Sequence, residues 1–166
     1  KITANKLYLL ISNLSFVSYI FTFCFLFIFF FKFVQLKILL IILLLVCIAS
    51  DIGGYIFGKI FKGPKLSKIS PNKTVAGAIG SIILSSLVII LLFYFINERF
   101  SYLTIIVAMI TSIFCQLGDL FFSFLKRKAN LKNTGNFLPG HGGVLDRLDS
   151  ILLGIPTGLY SFIIFF

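Results

Sequence analysis

Five acidic side chains are spread over 166 residues, and four of them sit where an acid is hardest to keep. Asp51, Asp119, Asp146 and Asp149 lie in or beside long apolar runs, whereas Glu98 falls in the short polar turn 97–100. A carboxylate at the centre of a membrane helix costs roughly 2.5–3.5 kcal/mol, less near the ends, and such residues usually face a polar cavity. Asp119 opens the polar part of the string 118–127. Residues four apart share a helix face, so Asp119, Ser123 and then Lys126 or Arg127 form one stripe. It carries a metal-type ligand at one end and phosphate-type cations at the other. Snorkelling accounts for Lys126 and Arg127 at a membrane interface, but not for Asp119 two turns deeper.

A denser string runs from 139 to 150, with Pro139, Gly140, His141, Gly142, Gly143, Asp146, Arg147 and Asp149. Its glycines let backbone N–H groups approach a ligand closely, and such loops at a helix start bind anions. Asp146 and Asp149, three apart, can project together toward a cation. Arg147 supplies the planar fork suited to phosphate. A plain turn before a helix explains Pro139, Gly140 and an Asp cap. It does not explain one His, one Arg and two Asp packed around them. A third string holds Ser70, Lys73 and Thr74, followed by Gly77 and Gly80. These are phosphate-donor types, and equally a helix start with small residues for close packing. There is no full Walker pattern and no GxGxxG.

The elements that must position these residues are membrane helices. The chain is 59% hydrophobic with 22 Phe and a mean hydropathy of +1.10, too apolar for a soluble domain of this length. A helix needs roughly 20 residues to cross a hydrocarbon core of about 30 Å. Apolar runs at 7–31, 38–57, 75–96, 101–125 and 151–166 predict an all-α, polytopic transmembrane helix bundle of five segments. The second is read as interrupted by Asp51 and Gly53–Gly54, and the fifth as short. The runs are continuous rather than alternating, which excludes a barrel. The whole of 1–166 is read as a single integral-membrane domain, with the catalytic region at about 50–150. The chain begins at Lys1 rather than Met, so an N-terminal part is expected to precede it. The run 7–31 is too long for a signal-peptide core.

The net charge of +10 would suggest nucleic acid on a soluble domain. Here the cations sit between apolar runs, so no nucleic-acid partner is expected and membrane lipids are. Loop 59–74 carries Lys59, Lys62, Lys65, Lys68 and Lys73, and loop 126–150 carries Lys126, Arg127, Lys128, Lys132 and Arg147. The positive-inside rule puts both on the cytoplasmic face, with Lys1 and Lys6. Cys24, Cys47 and Cys115 lie inside apolar runs without ligand spacing and read as small buried hydrophobes. His141 is the only histidine, which argues against a conventional zinc site.

The stretch 123–149 resembles the signature of the phosphatidate cytidylyltransferase (CDP-diacylglycerol synthase) family. The matching residues are Ser123, Lys126, Arg127, Lys132, Pro139, His141, Gly142, Gly143, Asp146, Arg147 and Asp149. Upstream, Ser50, Asp51, Gly54, Tyr55 and Gly58 look like a second family element. Ser70, Pro71, Lys73, Thr74 and Gly77 look like a third. Ala76, Phe122 and Asn133 stand where the family often has acids.

The resemblance implies transfer of the cytidylyl group of CTP to phosphatidate, giving CDP-diacylglycerol and pyrophosphate in phospholipid biosynthesis. It also implies Mg²⁺, with room for a second cation. Asp119 and Asp146 are then the expected metal ligands, with Asp149 and Asp51 as helpers. Lys126, Arg127, Arg147 and Lys73 would hold phosphates, Ser123, Ser70 and Thr74 would donate to them, and Lys132, His141, Gly142 and Gly143 would complete the substrate site. The expected catalytic set is Asp119, Asp146, Lys126, Arg127 and Arg147. The lipid phosphate is already ionised, so no strong base is needed. The expected location is a bacterial inner membrane with the site facing the cytoplasm, and a second copy of the chain stands among the candidate partners. Rival readings are a CTP-dependent polyprenol kinase-like enzyme, a transporter using Asp51 and Asp119, and a non-enzymatic lipid-binding relative.

The two basic loops are separated by two segments, so they should share one membrane face. Cysteines introduced at Lys65 and Lys128 should react with an impermeant thiol reagent from the same side. Labelling from opposite sides would sink the shared site.

Overall fold

The computed structural model describes residues 2–67, 70, 73–96, 101–129 and 143–166, with side chains from residue 14 onward. Its helices are α1 (Ile2–Phe30), α2 (Val34–Phe61), α3 (Val75–Phe95), α4 (Tyr102–Lys128) and α5 (Leu145–Phe165). The only other pairing among the described residues is an isolated antiparallel bridge, Lys65 to Thr74. Helices α2 to α5 are each long and apolar enough to cross a membrane, and the described side chains of α1 add the apolar helix Leu14–Phe30.

The first compact unit is Lys1–Ile38. From Leu14 to Phe30 the side chains of α1 are mostly apolar, and rings stack one turn apart, Phe23 on Phe27 and Phe25 on Phe29. The spacing is the i, i+4 geometry of any helix face.

The second unit, Leu39–Phe166, holds most of α2 and all of α3 to α5. Large apolar side chains such as Ile52, Ile83, Leu87, Phe121 and Ile163 face outward. Inside, next to Leu43, Val46 and Ile155, lie Ser50, Ser81, Ser85, Thr104, Thr111 and Ser112, all buried. Apolar outside with small and polar residues inside is the distribution that lipid favours. Helices there gain from close packing and interhelical hydrogen bonds rather than from hydrophobic expulsion.

Glycines set the closest approaches. A methyl at Gly53 of α2 would lie 2.6 Å from the carbonyl oxygen of Gly80 on α3. One at Gly154 of α5 would collide with the sulfur of Cys115 on α4. Gly58 likewise lets α2 approach Thr74 at the start of α3. The expected small-residue packing of Gly77 and Gly80 is therefore present.

Two expected boundaries change. Helix α2 runs unbroken through Asp51, Gly53 and Gly54, because the glycines serve packing against α3 rather than a break. Helix α5 starts at Leu145 rather than 151, and α4 runs to Lys128 rather than 125. Asp146, Arg147 and Asp149 therefore sit on the first turns of a helix, not in a loop. Helix α2 ends in left-handed geometry at Lys62 (φ 42°), a common way to stop a helix. The chain then folds back, with Leu66 N–H donating to the Lys73 carbonyl (2.8 Å) and Val75 N–H to that of Pro64 (3.0 Å).

Gly53→Ala should destabilise the bundle, because the atom it meets is backbone and cannot rotate away. Overpacking costs about 1–3 kcal/mol. Gly63→Ala, whose added methyl would meet nothing nearer than 3.4 Å, should be near neutral. Thermal unfolding of both variants in detergent checks the difference.

Candidate functional site

The polar residues converge at one end of the second unit, where α2 and α4 finish and α3 and α5 begin. Along α4 they follow helical spacing: Ser112, Gln116, Asp119, Ser123, Lys126. The deepest part is a hydroxyl seam. Ser50 and Ser112 share a hydrogen bond of 2.8 Å, and Ser81 donates to the Ser50 carbonyl at 2.7 Å. Buried hydroxyls need such partners, and these tie α2 to α3 and α4.

Above the seam, Asp119 pairs with Lys73 at 2.5 Å. Its other oxygen accepts a longer hydrogen bond from Ser123, 3.4 Å. Lys73 comes from the turn before α3. Thr74, the next residue, caps that helix by accepting the Gly77 N–H at 3.1 Å. Two turns further along α4, the Lys126 ammonium lies between Asp146 (2.9 Å) and Asp149 (3.4 Å). Asp146 also closes the first turn of α5. Its second oxygen accepts the Gly143 N–H (2.9 Å), and its own N–H donates to the Gly143 carbonyl (3.1 Å). Asp51 of α2 accepts from the Ser150 hydroxyl at 2.8 Å, joining α2 to α5. Asp119 is within electrostatic range of both Asp51 and Asp149.

A cavity of about 240 Å³ opens between α2, α3 and α4, with Asp51, Lys73, Thr74, Ser81, Gln116 and Asp119 in its wall. Leu66, from the folded-back turn, and Tyr55 also border it.

Of the residues expected from sequence, Asp51, Lys73, Thr74, Asp119, Ser123, Lys126, Gly143, Asp146 and Asp149 come together at this end. Asp119 and Asp146, expected as one ligand pair, are held by different lysines. Arg127 and Arg147 are exposed. Ser70 takes part through its carbonyl, which accepts the Lys73 N–H. Lys132, His141, Gly142 and Asn133 lie outside the described residues. Among the described residues, no three His, Cys, Asp or Glu side chains gather as a metal-binding group. Hard carboxylate oxygens that already hold ammonium cations nevertheless suit Mg²⁺, which takes one or two carboxylates and fills its shell with water and phosphate oxygens.

Gln116, Ser81 and Ser150 were missed by sequence reading as site residues. Gln116 had a usable signal, since it is a lone amide one turn from Asp119 on the same stripe. Ser81 and Ser150 had none, because serines recur inside membrane helices for packing alone.

Four long apolar helices around a partly buried cluster of acids and lysines define an integral-membrane protein with a polar site at one end of its bundle. The chain belongs to the cytidylyltransferase family, whose model matches residues 2–166. It is 46% identical over 109 residues to a protein of Staphylococcus haemolyticus named phosphatidate cytidylyltransferase, covering 64% of this chain and 42% of that one. It is 41% identical over 124 residues to a protein of the same name from Rickettsia felis, covering 67% and 53%. The chain thus spans about half the length of these relatives. In fold it is similar to a solved structure described as an intramembrane enzyme for archaeal membrane lipids biosynthesis. That likeness has a TM-score of 0.55 and 18% identity, and covers 72% of this chain and 75% of the other.

Lys126 is partly buried and serves two carboxylates. Exposed pairs contribute about 0–1 kcal/mol, and stranding a buried charge costs about 3–5. Lys126→Met should therefore cost about 2 kcal/mol, and Lys128→Met almost nothing. Adding Asp149→Asn to Lys126→Met should recover part of the loss in detergent melting curves.

Proposed function

We propose that this chain carries the catalytic part of a phosphatidate cytidylyltransferase. The observation that carries the reading is the interleaving of Lys73 and Lys126 with Asp119, Asp146 and Asp149 at one end of a membrane bundle. Both substrates, CTP and phosphatidate, bring multiple negative charges to a membrane surface, and cations must neutralise them. The names of the relatives point the same way.

In the proposed reaction, a phosphate oxygen of phosphatidate attacks the α-phosphorus of CTP. The bond from that phosphorus to the bridging β-phosphate oxygen breaks, and pyrophosphate leaves. CDP-diacylglycerol is the other product. Lys73 and Lys126 would turn from carboxylate to phosphate, with the exposed Arg127 and Arg147 at the rim. Ser123 stands one turn from Asp119 as a further donor. Asp119 and Asp146, assisted by Asp149 and Asp51, are the residues that would hold Mg²⁺, which when bound supplies positive charge to the nucleotide phosphates and the leaving pyrophosphate. The attacking phosphate is already ionised, so no side chain has to remove a proton. The proposed setting is a bacterial inner membrane with the site facing the cytoplasm. Exposed Lys59, Lys62, Lys65, Arg127 and Lys128 at the same end support that side.

The transporter reading made Asp51 and Asp119 a cation path, and the one helix break that favoured it, at Gly53–Gly54, is absent, since α2 is continuous there. No observation favours the polyprenol-kinase reading.

Purified protein given radiolabelled CTP, Mg²⁺ and phosphatidate should form CDP-diacylglycerol. Asp119→Asn and Asp146→Asn should each abolish turnover without unfolding the bundle. Near-native activity in either variant would remove that residue from the ligand set. Asn133→Asp should change the rate by less than roughly tenfold, about 1.4 kcal/mol in barrier. Product from Asn133→Asp but none from the native chain would reverse the reading of that position.

A further inference from the structure

The cavity beside Asp119 is not used up by the charges at its mouth. Besides Lys73 and Asp119, its wall includes Gly54, Gly77, Ala78, Ser81 and Gln116. Small residues there leave space, and the one long polar side chain is Gln116. An uncharged amide within an apolar membrane helix needs a reason to be there. Part of the reason is structural, since its Nε2 donates to the Ala78 carbonyl at 3.2 Å. Its Oε1 accepts no hydrogen bond among the described residues, and no buried polar side-chain atom among them lacks a partner. The oxygen is therefore accessible, on a residue that borders the cavity.

We propose that this cavity takes the pyrimidine ring of the nucleotide and that Gln116 reads its 4-amino group. The inference rests on the proposed use of CTP. Gln116 stands one helical turn deeper than Asp119, so a ring in the cavity leaves its phosphates toward Asp119, Lys73 and Lys126. Tyr55 and Leu66 give the ring apolar flanks.

The selectivity follows from hydrogen-bond polarity. Cytosine offers a donor at its 4-amino group and an acceptor at N3. The Gln116 amide offers the complement, with Oε1 accepting from the amine and the second Nε2 hydrogen donating to N3. Uracil reverses both positions. To match it the amide would have to turn over, placing Oε1 against the Ala78 carbonyl, acceptor facing acceptor. The bond to Ala78 thereby holds the amide in the orientation that favours cytosine. A site built around a polar group rejects an analogue lacking it, because its own groups are left unpaired.

The test is displacement of radiolabelled CTP from the purified chain in detergent with Mg²⁺. Competitors are CTP, UTP and the triphosphate of the pyrimidin-2-one riboside, which lacks the 4-amino group. Two neutral hydrogen bonds correspond to about tenfold or more in affinity. The native chain should prefer CTP by at least that factor over UTP, which mismatches both bonds, and by about fivefold over the pyrimidinone nucleotide, which lacks one. In Gln116→Leu, the preference for CTP over the pyrimidinone nucleotide should vanish, both nucleotides having lost the bond to N3. Gln116→Met, closer in shape, replaces it if the Leu variant does not accumulate. A variant that still prefers CTP as strongly as the native chain overturns the role of Gln116 while leaving the proposed reaction intact. A native chain that binds CTP without preference over the pyrimidinone nucleotide does the same. A native chain that binds no CTP overturns the proposed function and this inference with it.

Discussion

A carboxylate in a membrane-spanning helix must find a partner or lose its charge, and four aspartates near one end of this bundle impose that condition together. Lys126, between Asp146 and Asp149, meets it for α5, and Lys73 meets it for Asp119. Asp51 takes the Ser150 hydroxyl instead. Each solution crosses between helices, so charge pairing also assembles the site. Lys73 draws the start of α3 onto α4, Lys126 draws α5 onto α4, and Ser150 draws α5 onto α2.

These short links require helices that lie close together. Bulky side chains would hold the backbones too far apart for a serine to reach across. Gly53 and Gly80 between α2 and α3, and Gly118 and Gly154 between α4 and α5, remove that spacing. A methyl on Gly118 would stand 2.6 Å from the Asp149 carbonyl oxygen. The glycine contacts therefore do more than add dispersion energy. They set the distance at which hydroxyls and carboxylates can satisfy one another, and the buried seam of Ser50, Ser81 and Ser112 forms at that distance.

The same pairing gives the site its chemical character. A lysine held on a carboxylate in a low-dielectric surrounding is an ordered cation that needs little rearrangement to meet an arriving phosphate. In the proposed reaction the carboxylate it leaves would then be available to a metal ion. Charge would then be exchanged between partners rather than exposed alone to lipid, which is the costly alternative. On this view the lysines and aspartates form one exchangeable set.

Much of this was legible in the residue order. The apolar runs determined an all-α membrane bundle, because a backbone in lipid has almost no other way to satisfy its hydrogen bonds. The spacing of four and then three residues from Asp119 through Ser123 to Lys126 determined that these side chains share a face, since helical geometry is local. Phe122, where relatives often carry an acid, shows the other side of the same rule: it is buried. Gly53 and Gly54 could be read as a break or as a contact, and only the presence of α3 alongside made them a contact. Sequence placed Asp119 and Asp146 together as one pair, whereas the packing gave them to separate lysines. Gln116 was missed although it is an amide on the Asp119 stripe, and its fixed orientation depends on the Ala78 carbonyl of another helix. Local spacing is written along the chain. Which partner a polar group meets across a helix interface is decided only when the interfaces close, because many residues of the right type are available and distance alone selects among them.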